Sequence, residues 1–420
     1  MSTQWALGDW YGLSFPAGPA ALADGGEEFL TEAFRVSGVL SHDNAVTTIT
    51  GFTEVPGGST GRKVMLSVEY ARPAAGLDTE LFVKFSRDFD DPIRDRGKTQ
   101  MEPEVRFAAL SRAPGFPIAV PSALFGDYHR PSGTGILITE RIPFGDKGIE
   151  RQYHKCLDYQ MPEPLQHYRA LLTALARLAG THRSGRLPAE LIAQFPLDVQ
   201  AATVGQRTAL SVPKLERRVD QLAALAQTRP GLLPPNVRSP QFLSRLREEV
   251  PHIAAHEDTI TRALADDTDY VALCHWNANI DNAWFWSDGD NVLQCGLMDW
   301  GCVSQMNLGM AIWGAMSGAE TELWDVHLDE LLTLFVAEFE RCGGPPLDPA
   351  RLRRHTLLYA AAMGVAWLID VPALLHKRFD SVPSTREDPR IRDNEGVRAP
   401  LQMLCNLLSA WDRYRVGELL

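Results

Sequence analysis

A change of pattern near residue 145 constrains the fold of this chain more than any other feature of the sequence. Before it, short β-rich runs at residues 46–52, 63–70, 80–85, 120–128 and 135–142 are separated by clusters of Gly, Pro, Asp and Ser. After it, apolar residues recur mainly at helical spacing, as they do over residues 165–182. The sequence therefore predicts the α+β class, with a β-rich part over residues 1–143 and a larger, mostly helical part over residues 144–420.

Two helices are predicted in the β-rich part. Residues 25–39 are amphipathic, and a second helix starts near Pro103, where proline suits the first helical turn, and ends by Pro114. In the second part, residues 186–266 predict helices interrupted by Pro and Gly, and residues 323–342, 349–375 and 399–416 predict further helices. The exception is residues 271–302, which predict a strand, a loop and a β-hairpin.

Charge and composition exclude several classes of function. Lys and Arg number 41 against 53 Asp and Glu, and the resulting net charge of −12 disfavours nucleic-acid and membrane partners. The most apolar stretch, residues 356–369, is shorter than the ~20 residues of a membrane span, and the N-terminus lacks a signal-peptide layout. The six scattered cysteines suggest reduced thiols. We expect a cytoplasmic protein, and the sequence leaves its oligomeric state open.

The segment from residue 271 to 300 contains the most informative polar residues. Apolar runs flank the turn residues Asp288-Gly289-Asp290-Asn291, which predicts a hairpin. With a four-residue loop over 289–292, paired residue numbers sum to 581 and Asn282 lies opposite Asp299. An amide oxygen and a carboxylate suit Mg²⁺, which takes one or two protein oxygens and completes its shell with phosphates and water. On spacing alone, polar residues that only cap strands are the favoured interpretation.

The motifs in this segment resemble those of a known family. His275-x-Asn277-x-x-x-x-Asn282, followed by Met298-Asp299-Trp300-Gly301, is similar to the catalytic loop and metal-binding motif of the aminoglycoside phosphotransferase and choline kinase group. The resemblance implies a bilobal protein-kinase-like fold, with a β-rich N-lobe carrying one helix and a larger α-helical C-lobe carrying a β-hairpin. It also implies that His275 braces the catalytic loop, that Asn277 occupies the catalytic position, and that Asn282 and Asp299 bind the metal.

Further motifs upstream fit the same resemblance. It implies that Lys84 holds the nucleotide phosphates, that Glu104 orients Lys84, and that residues 136–143 form the hinge that meets the base. The implied cofactor-binding residues are Gly58, Ser59, Thr60, Gly61, Lys84, Glu104, Glu140 and Ile142. The implied cofactors are Mg²⁺ and ATP, with GTP as the alternative nucleotide, and the implied partner is a small-molecule acceptor. From the residues alone, Lys84 is equally a solvated strand lysine, and Glu104 is a carboxylate favoured at a helix N-terminus.

The catalytic loop departs from the family pattern at a decisive position. Where the family has aspartate, this chain has Asn277, and an amide cannot accept a proton as a carboxylate can. Loss of such a general base typically costs ~10²–10⁴-fold in rate. The bulky Trp276 precedes it, and the family's later aspartate is missing, because residues 304–311 offer Asn307 and Gly309 instead.

Three functions are compatible with these residues. The first is phosphoryl transfer to a hydroxyl of a small molecule, with an atypical catalytic loop. The second is altered chemistry on the same fold, either AMP transfer or carboxylate activation. The third is a catalytically silent, kinase-like nucleotide-binding protein.

Other patterns support weaker hypotheses. His252 and His256 have the spacing of a helical zinc pair but lack an adjacent glutamate. Residues 57–61 match a hydrolase nucleophile elbow, although a β-rich run follows them where that motif needs a helix. Aromatic residues of the C-terminal part predict either core packing or a wall for a ring-bearing acceptor: Trp313, Trp324, Tyr359 and Trp367.

Overall fold

The structure is a computed structural model that describes residues 4–58, 60–197 and 210–420. The chain divides into two compact units. The first unit contains Met1–Lys147, Leu187–Phe195 and Leu297–Val303, and the second contains Gly148–Arg186, Pro196–Gly296 and Ser304–Leu420. The domain boundary between residues 143 and 144 stays a prediction.

The strands of the described residues are short, and most of them fall in the first unit. They are β1 (Trp5–Leu7), β2 (Ser14–Pro16), β3 (Val46–Glu54), β4 (Arg62–Tyr70), β5 (Glu80–Phe85), β6 (Ala123–His129), β7 (Thr134–Glu140), β8 (Val271–His275), β9 (Ala283–Ser287), β10 (Leu293–Leu297) and β11 (Val303–Asn307).

Helices make up most of the second unit. In chain order the α-helices are α1 (Pro19–Val36), α2 (Pro92–Asp95), α3 (Met101–Ser111), α4 (Pro164–Arg183), α5 (Ala189–Ile192), α6 (Val212–Thr228), α7 (Pro240–Ala255), α8 (Glu257–Asp266), α9 (Leu308–Met316), α10 (Thr321–Val326), α11 (Leu328–Arg341), α12 (Pro349–Met363), α13 (Val371–Arg378), α14 (Pro389–Arg392) and α15 (Glu395–Arg413). Short 3₁₀ turns include Arg96–Gln100, Ile280–Asn282 and Trp300–Cys302, and a π-helical turn, Gly364–Leu368, follows α12.

The first unit is built on a five-stranded antiparallel sheet in the order β3-β4-β5-β7-β6. Side chains alternate between its faces, because successive residues of a strand point to opposite sides. Val64, Val83 and Ile138 are paired neighbours on one face and belong to the core that includes α1. Lys63, Lys84 and Leu137 are paired neighbours of opposite parity, and Leu137 packs with Met101 and Val105 of α3. The sheet therefore places Lys84 on its α3 face, in the middle strand.

The sequence predictions for this unit are largely confirmed, including the α+β class, all five predicted strands and the helix at Pro103. The third β-run forms β5 at the predicted bounds, whereas the fourth starts at Ala123, after Pro121, which has no N–H for strand pairing. The predicted helix over 25–39 instead runs from Pro19 to Val36 and is interrupted at Gly26 (φ 50°, ψ −144°). Because Gly26 is not helical, the helical spacing of apolar residues is recognisable in the sequence only after it.

The second unit has a helical core in which α4 packs against α11. Gly180 of α4 allows this approach, because a Cβ at that position would lie 2.3 Å from the carbonyl oxygen of Phe339. Strand β8 pairs with β11, and β9 pairs with β10 in the predicted hairpin. By length and composition alone the segment Pro349–Arg378, which includes the apolar stretch over 356–369, could span a membrane, although 72% of its most apolar window is buried in the protein.

The turn between β9 and β10 differs from the predicted one. The Asp288 N–H donates to the Val292 carbonyl (3.0 Å) and the Asn291 N–H donates to the Asp288 carbonyl (3.0 Å), while Asn291 has a left-handed backbone (φ 59°). These bonds define a three-residue loop, in which a type I turn is followed by a left-handed residue. Asp288 is then paired with Val292, so that paired residue numbers sum to 580 rather than 581. The four-residue loop was therefore wrong, and with it the register argument that placed Asn282 opposite Asp299.

Candidate functional site

Lys84 forms the centre of a charged cluster inside the first unit. Its Nζ donates to Glu104 Oε2 at 2.7 Å and to Asp299 Oδ1 at 2.5 Å. The Lys84 and Glu104 side chains are 10% and 7% exposed, whereas that of Asp299 is 44% exposed. Burial disfavours the ammonium, but the charges of Asp299 and Glu104 outweigh it and raise the pKa of Lys84. Two carboxylates from different parts of the sequence, Glu104 and Asp299, thus meet at the buried ammonium of Lys84.

Local structure explains how each member reaches this cluster. Glu104 lies in α3, one helical turn from its start, and Lys84 extends from β5 towards that helix. Asp299 has a left-handed backbone (φ 63°, ψ 61°), which non-glycine residues adopt rarely and mostly at functional or turn positions. Directly after it, the Trp300 ring stacks on Phe107 of α3 (centroids 3.7 Å apart), so this segment is anchored to the same helix as Glu104.

These observations exclude the alternative interpretations of two residues. Lys84 is not a solvated lysine, since it is buried in the central strand of the sheet. Glu104 does not act only as an exposed carboxylate at a helix N-terminus, because it is buried and bonded to Lys84.

The glycine-rich segment after β3 requires glycine at two positions. Gly58 has φ +80°, and a Cβ there would lie 1.9 Å from the Nζ of Lys63. Gly61 has φ +52°, and a Cβ there would lie 1.7 Å from the carbonyl oxygen of Phe85. Thr60 packs against Gly97, and the predicted Ser59 lies outside the described residues. Gly61 therefore lies against the backbone of β5 at Phe85, the residue directly after Lys84.

Two cations near this segment were missed by the sequence interpretation. Lys63 is the direct cross-strand neighbour of Lys84. Arg94 donates from Nη2 to the Gly57 carbonyl (3.1 Å) and to the Gly61 carbonyl, and its Nη1 pairs with Asp88 at 3.3 Å. The alternation of residues 63–70 could have identified the face of Lys63, but only the register with β5 shows that it adjoins Lys84.

The predicted catalytic loop is held in the second unit by neutral hydrogen bonds. His275 is fully buried, and its Nδ1 lies 3.2 Å from the backbone nitrogen of Asn277, which donates to it. Asn282 Nδ2 donates to the Asn277 carbonyl at 2.8 Å, and Asn277 Oδ1 accepts from Asn279 Nδ2 at 2.9 Å. The arrangement fits a bracing histidine. Because Asn282 uses its amide nitrogen here, Oδ1 is the atom with which it could hold a metal.

Two further carboxylates, Asp281 of this loop and the buried Asp158, were not selected by the sequence interpretation. Asp281 pairs with Lys155 at 3.4 Å. Asp158 is fully buried, and its Oδ2 accepts from the Tyr168 hydroxyl at 2.8 Å. Burial raises the pKa of Asp158 to about 7, with only partial opposition from that hydrogen bond. Asp281 is therefore a paired residue rather than an additional base beside Asn277.

The remaining predicted residues have simpler surroundings. Glu140 ends β7, and its Oε1 accepts from the Ser122 N–H at 2.9 Å; Ile142 follows two residues later, and its carbonyl accepts from the Phe144 N–H. Their role in base binding stays a prediction. Of the four aromatic residues considered as a wall, Trp313, Trp324 and Tyr359 are core residues, and Trp367 is 53% exposed.

The two hydrolase hypotheses gain no support. The described residues contain no group of three or more His, Cys, Asp or Glu side chains that could hold a metal. His256 uses Nδ1 for a hydrogen bond with the His252 carbonyl (2.9 Å). The glycine-rich segment runs into β4 and not into a helix. The absence of such a cluster is compatible with Mg²⁺, which needs only one or two protein oxygens.

Comparison with known proteins gives similarities in structure only. No protein-family model and no curated protein matches the sequence. The structure is similar to spectinomycin phosphotransferase in complex with ADP and spectinomycin (10% identity, covering 89% of this chain and 94% of that chain, TM-score 0.42). It is also similar to a Plasmodium vivax ethanolamine kinase (12% identity, covering 87% of this chain and 83% of that chain, TM-score 0.42). A third similar structure is an aminoglycoside-3'-phosphotransferase of type VIII (18% identity, covering 80% of this chain and 99% of that chain, TM-score 0.39).

The solved structures similar to this one include aminoglycoside phosphotransferases and choline or ethanolamine kinases. This is the group that the motifs resemble.

Proposed function

We propose that this protein is an ATP- and Mg²⁺-dependent transferase of the aminoglycoside phosphotransferase-like class, which moves a phosphoryl group to a hydroxyl of a small molecule. The observation that carries the proposal is the Lys84 cluster, in which a buried ammonium is held by Glu104 at 2.7 Å and by the more exposed Asp299 at 2.5 Å. A lysine oriented by one carboxylate and adjacent to a second, partly exposed one suits a phosphate chain with its metal.

The residues present fit such a metal. Asp299 supplies a carboxylate and Asn282 an amide oxygen, and both are hard oxygen ligands of the kind Mg²⁺ prefers. When bound, the metal neutralises phosphate charge. In our proposal Lys84 binds the phosphates, Glu104 keeps Lys84 in place, and Asn282 and Asp299 hold the metal.

Asn277 positions the acceptor hydroxyl by hydrogen bonding but does not remove its proton, because a carboxamide is not basic. Positioning and charge neutralisation account for most of the catalysis of phosphoryl transfer, so turnover is expected to be slow but measurable. The proton of the hydroxyl then leaves to solvent or with the transferred phosphate.

The first experiment measures Mg·ATP binding by thermal shift and then ATP turnover in wild type, Lys84→Met and Asp299→Asn. We expect a higher melting temperature with Mg·ATP and a loss of turnover of at least about 100-fold in each variant. Absence of any ATP-dependent shift in the folded wild-type protein contradicts the proposal. If wild type binds Mg·ATP but shows no turnover, the silent, nucleotide-binding alternative is supported. Release of AMP by wild type supports altered chemistry.

A second experiment restores the carboxylate in the catalytic loop. Under our proposal, Asn277→Asp raises kcat by about tenfold or more, because general-base help is typically worth ~10²–10⁴-fold. Asn291→Asp, in the turn of the neighbouring hairpin, is the matched control and should leave kcat unchanged. A decrease in kcat with Asn277→Asp favours chemistry for which the amide is required.

A further inference from the structure

We propose that Lys63 is a second phosphate-binding cation, which acts beside Lys84 on the β- and γ-phosphates of the nucleotide; this inference rests on the proposed function. Lys63 lies directly opposite Lys84 across β4 and β5, so their side chains leave the same face of the sheet as neighbours. Nothing in the family resemblance assigns a role to this position.

The environment of Lys63 is that of a cation without an anionic partner. Its Nζ lies 3.4 Å from the Gly57 carbonyl, and within the described part of the chain it makes no ion pair. Its cationic neighbours are already paired: Lys84 with Glu104 and Asp299, and Arg94 with Asp88. Like charges directly opposite in a sheet repel each other, and a polyanion that contacts both Lys63 and Lys84 would relieve that repulsion.

The position of Lys63 under the glycine-rich segment indicates which anion it meets. Its Nζ lies 1.9 Å from the position that a Cβ of Gly58 would take, so the ammonium lies against the backbone of Gly58. Arg94 binds the carbonyls of Gly57 and Gly61 and so holds both ends of the segment over Lys63. A phosphate chain lying under the segment and reaching Lys84 would therefore pass Lys63 as well.

The charge balance supports the same conclusion. Burial lowers the pKa of Lys63, the positive charge of Lys84 lowers it further, and attraction to Asp299 opposes both. A metal held by Asp299 would weaken that attraction, and Lys63 would then need negative charge from another source. The phosphates of the nucleotide supply it.

The test compares nucleotides that differ only in their phosphates. Isothermal titration of wild type, Lys63→Gln and Lys63→Arg is carried out with ATP, ADP and AMP in Mg²⁺, and melting temperatures without ligand establish that each variant is folded. We expect Lys63→Gln to weaken ATP binding about tenfold, as for loss of one charge-assisted contact, and to change AMP binding by less than about twofold. Lys63→Arg should retain most of the ATP affinity, since arginine keeps the charge.

The control variant removes a positive charge elsewhere. Lys214→Gln, on the exposed first turn of α6, should bind ATP as wild type does. Unchanged ATP affinity in Lys63→Gln overturns this inference, as does an equal loss of ATP and AMP affinity, which would make Lys63 a structural residue. Failure of folded wild-type protein to bind ATP at all overturns the proposed function instead.

Discussion

The Lys84 cluster of the first unit and the loop around His275 in the second unit are held by different kinds of polar contact. In the first unit, Lys84 and Glu104 are formally charged groups that are buried together, and Asp299 adds a third charge at the edge of solvent. In the second, amide, carbonyl and imidazole groups connect His275, Asn277, Asn279 and Asn282, while Asp281 of the same loop pairs with Lys155. Buried charged groups are costly when their charges are unbalanced, whereas amide and carbonyl groups fix geometry at lower cost and, unlike imidazole, have no useful basicity. Loss of one charge should therefore disturb the Lys84 cluster more than loss of one neutral contact disturbs the loop.

The largest expected effect comes from unbalancing the charged cluster. Lys84→Met leaves Glu104 buried without its cation, and we expect the free energy of unfolding to fall by about 3–5 kcal/mol in urea denaturation. Adding Glu104→Gln should recover much of that loss, because the uncompensated charge is then gone. Asp299→Asn serves as the control and should cost less, since its side chain is 44% exposed. A loss below about 1 kcal/mol for Lys84→Met would show that the cluster is not charged as described.

An intermediate effect is expected at Asp158, the carboxylate of the second unit that is fully buried and makes no ion pair within the described residues. Its pKa is raised from 3.8 to about 7 in the folded protein. Between these values the folded state holds the proton more tightly than the unfolded chain, so the unfolding free energy falls as pH rises towards 7, and the penalty is complete above it.

Asp158→Asn removes this penalty and keeps an acceptor for Tyr168. We expect the variant to be more stable than wild type by about 2–4 kcal/mol at pH 8, with a smaller difference at pH 5, in denaturation curves at both pH values. The exposed Asp290→Asn should give the same stability as wild type at both. If Asp158→Asn is equally destabilised at pH 5 and pH 8, the side chain is ionised in the folded protein throughout.

The smallest effect tests a neutral contact beside the catalytic loop. Trp276 Nε1 donates to the hydroxyl of Tyr359 at 2.7 Å, and Tyr359 is buried. Tyr359→Phe removes that acceptor, and we expect it to lower the free energy of unfolding by about 1–2 kcal/mol, as for one buried hydrogen bond. Tyr159→Phe, at a tyrosine that is 53% exposed, is the comparison and should have little effect. Equal effects of the two changes would show that the Trp276 contact adds no stability.

The sequence revealed the parts of the fold that depend on periodicity. Alternation was enough to locate β3 to β7, and Pro103 was enough to locate the start of α3 approximately. It revealed less where one residue's backbone decides the geometry. The left-handed Asn291 shortens the hairpin loop by a residue, and the non-helical Gly26 hid the first turns of α1.

The candidate site shows the same limit. Lys84, Glu104 and Asp299 could be selected from their motifs. The structure shows the contact between Lys84 and Glu104 that the resemblance implies, whereas the contact between Lys84 and Asp299 was not predicted. Lys63 could not be selected, because a lysine at the start of a strand is usually solvated, and its neighbour across the sheet is fixed only by the pairing of β4 with β5. Asp158 was missed because nothing in its local sequence indicates that it is fully buried.

The left-handed backbone of Asp299 has a consequence for how this position can vary. Asparagine and glycine tolerate that conformation, whereas valine, isoleucine and threonine are strained in it. Random libraries at position 299 should therefore yield stable proteins chiefly with Asp, Asn or Gly, whatever reaction is selected for. Backbone geometry alone therefore limits which amino acids position 299 tolerates, independently of what the reaction requires.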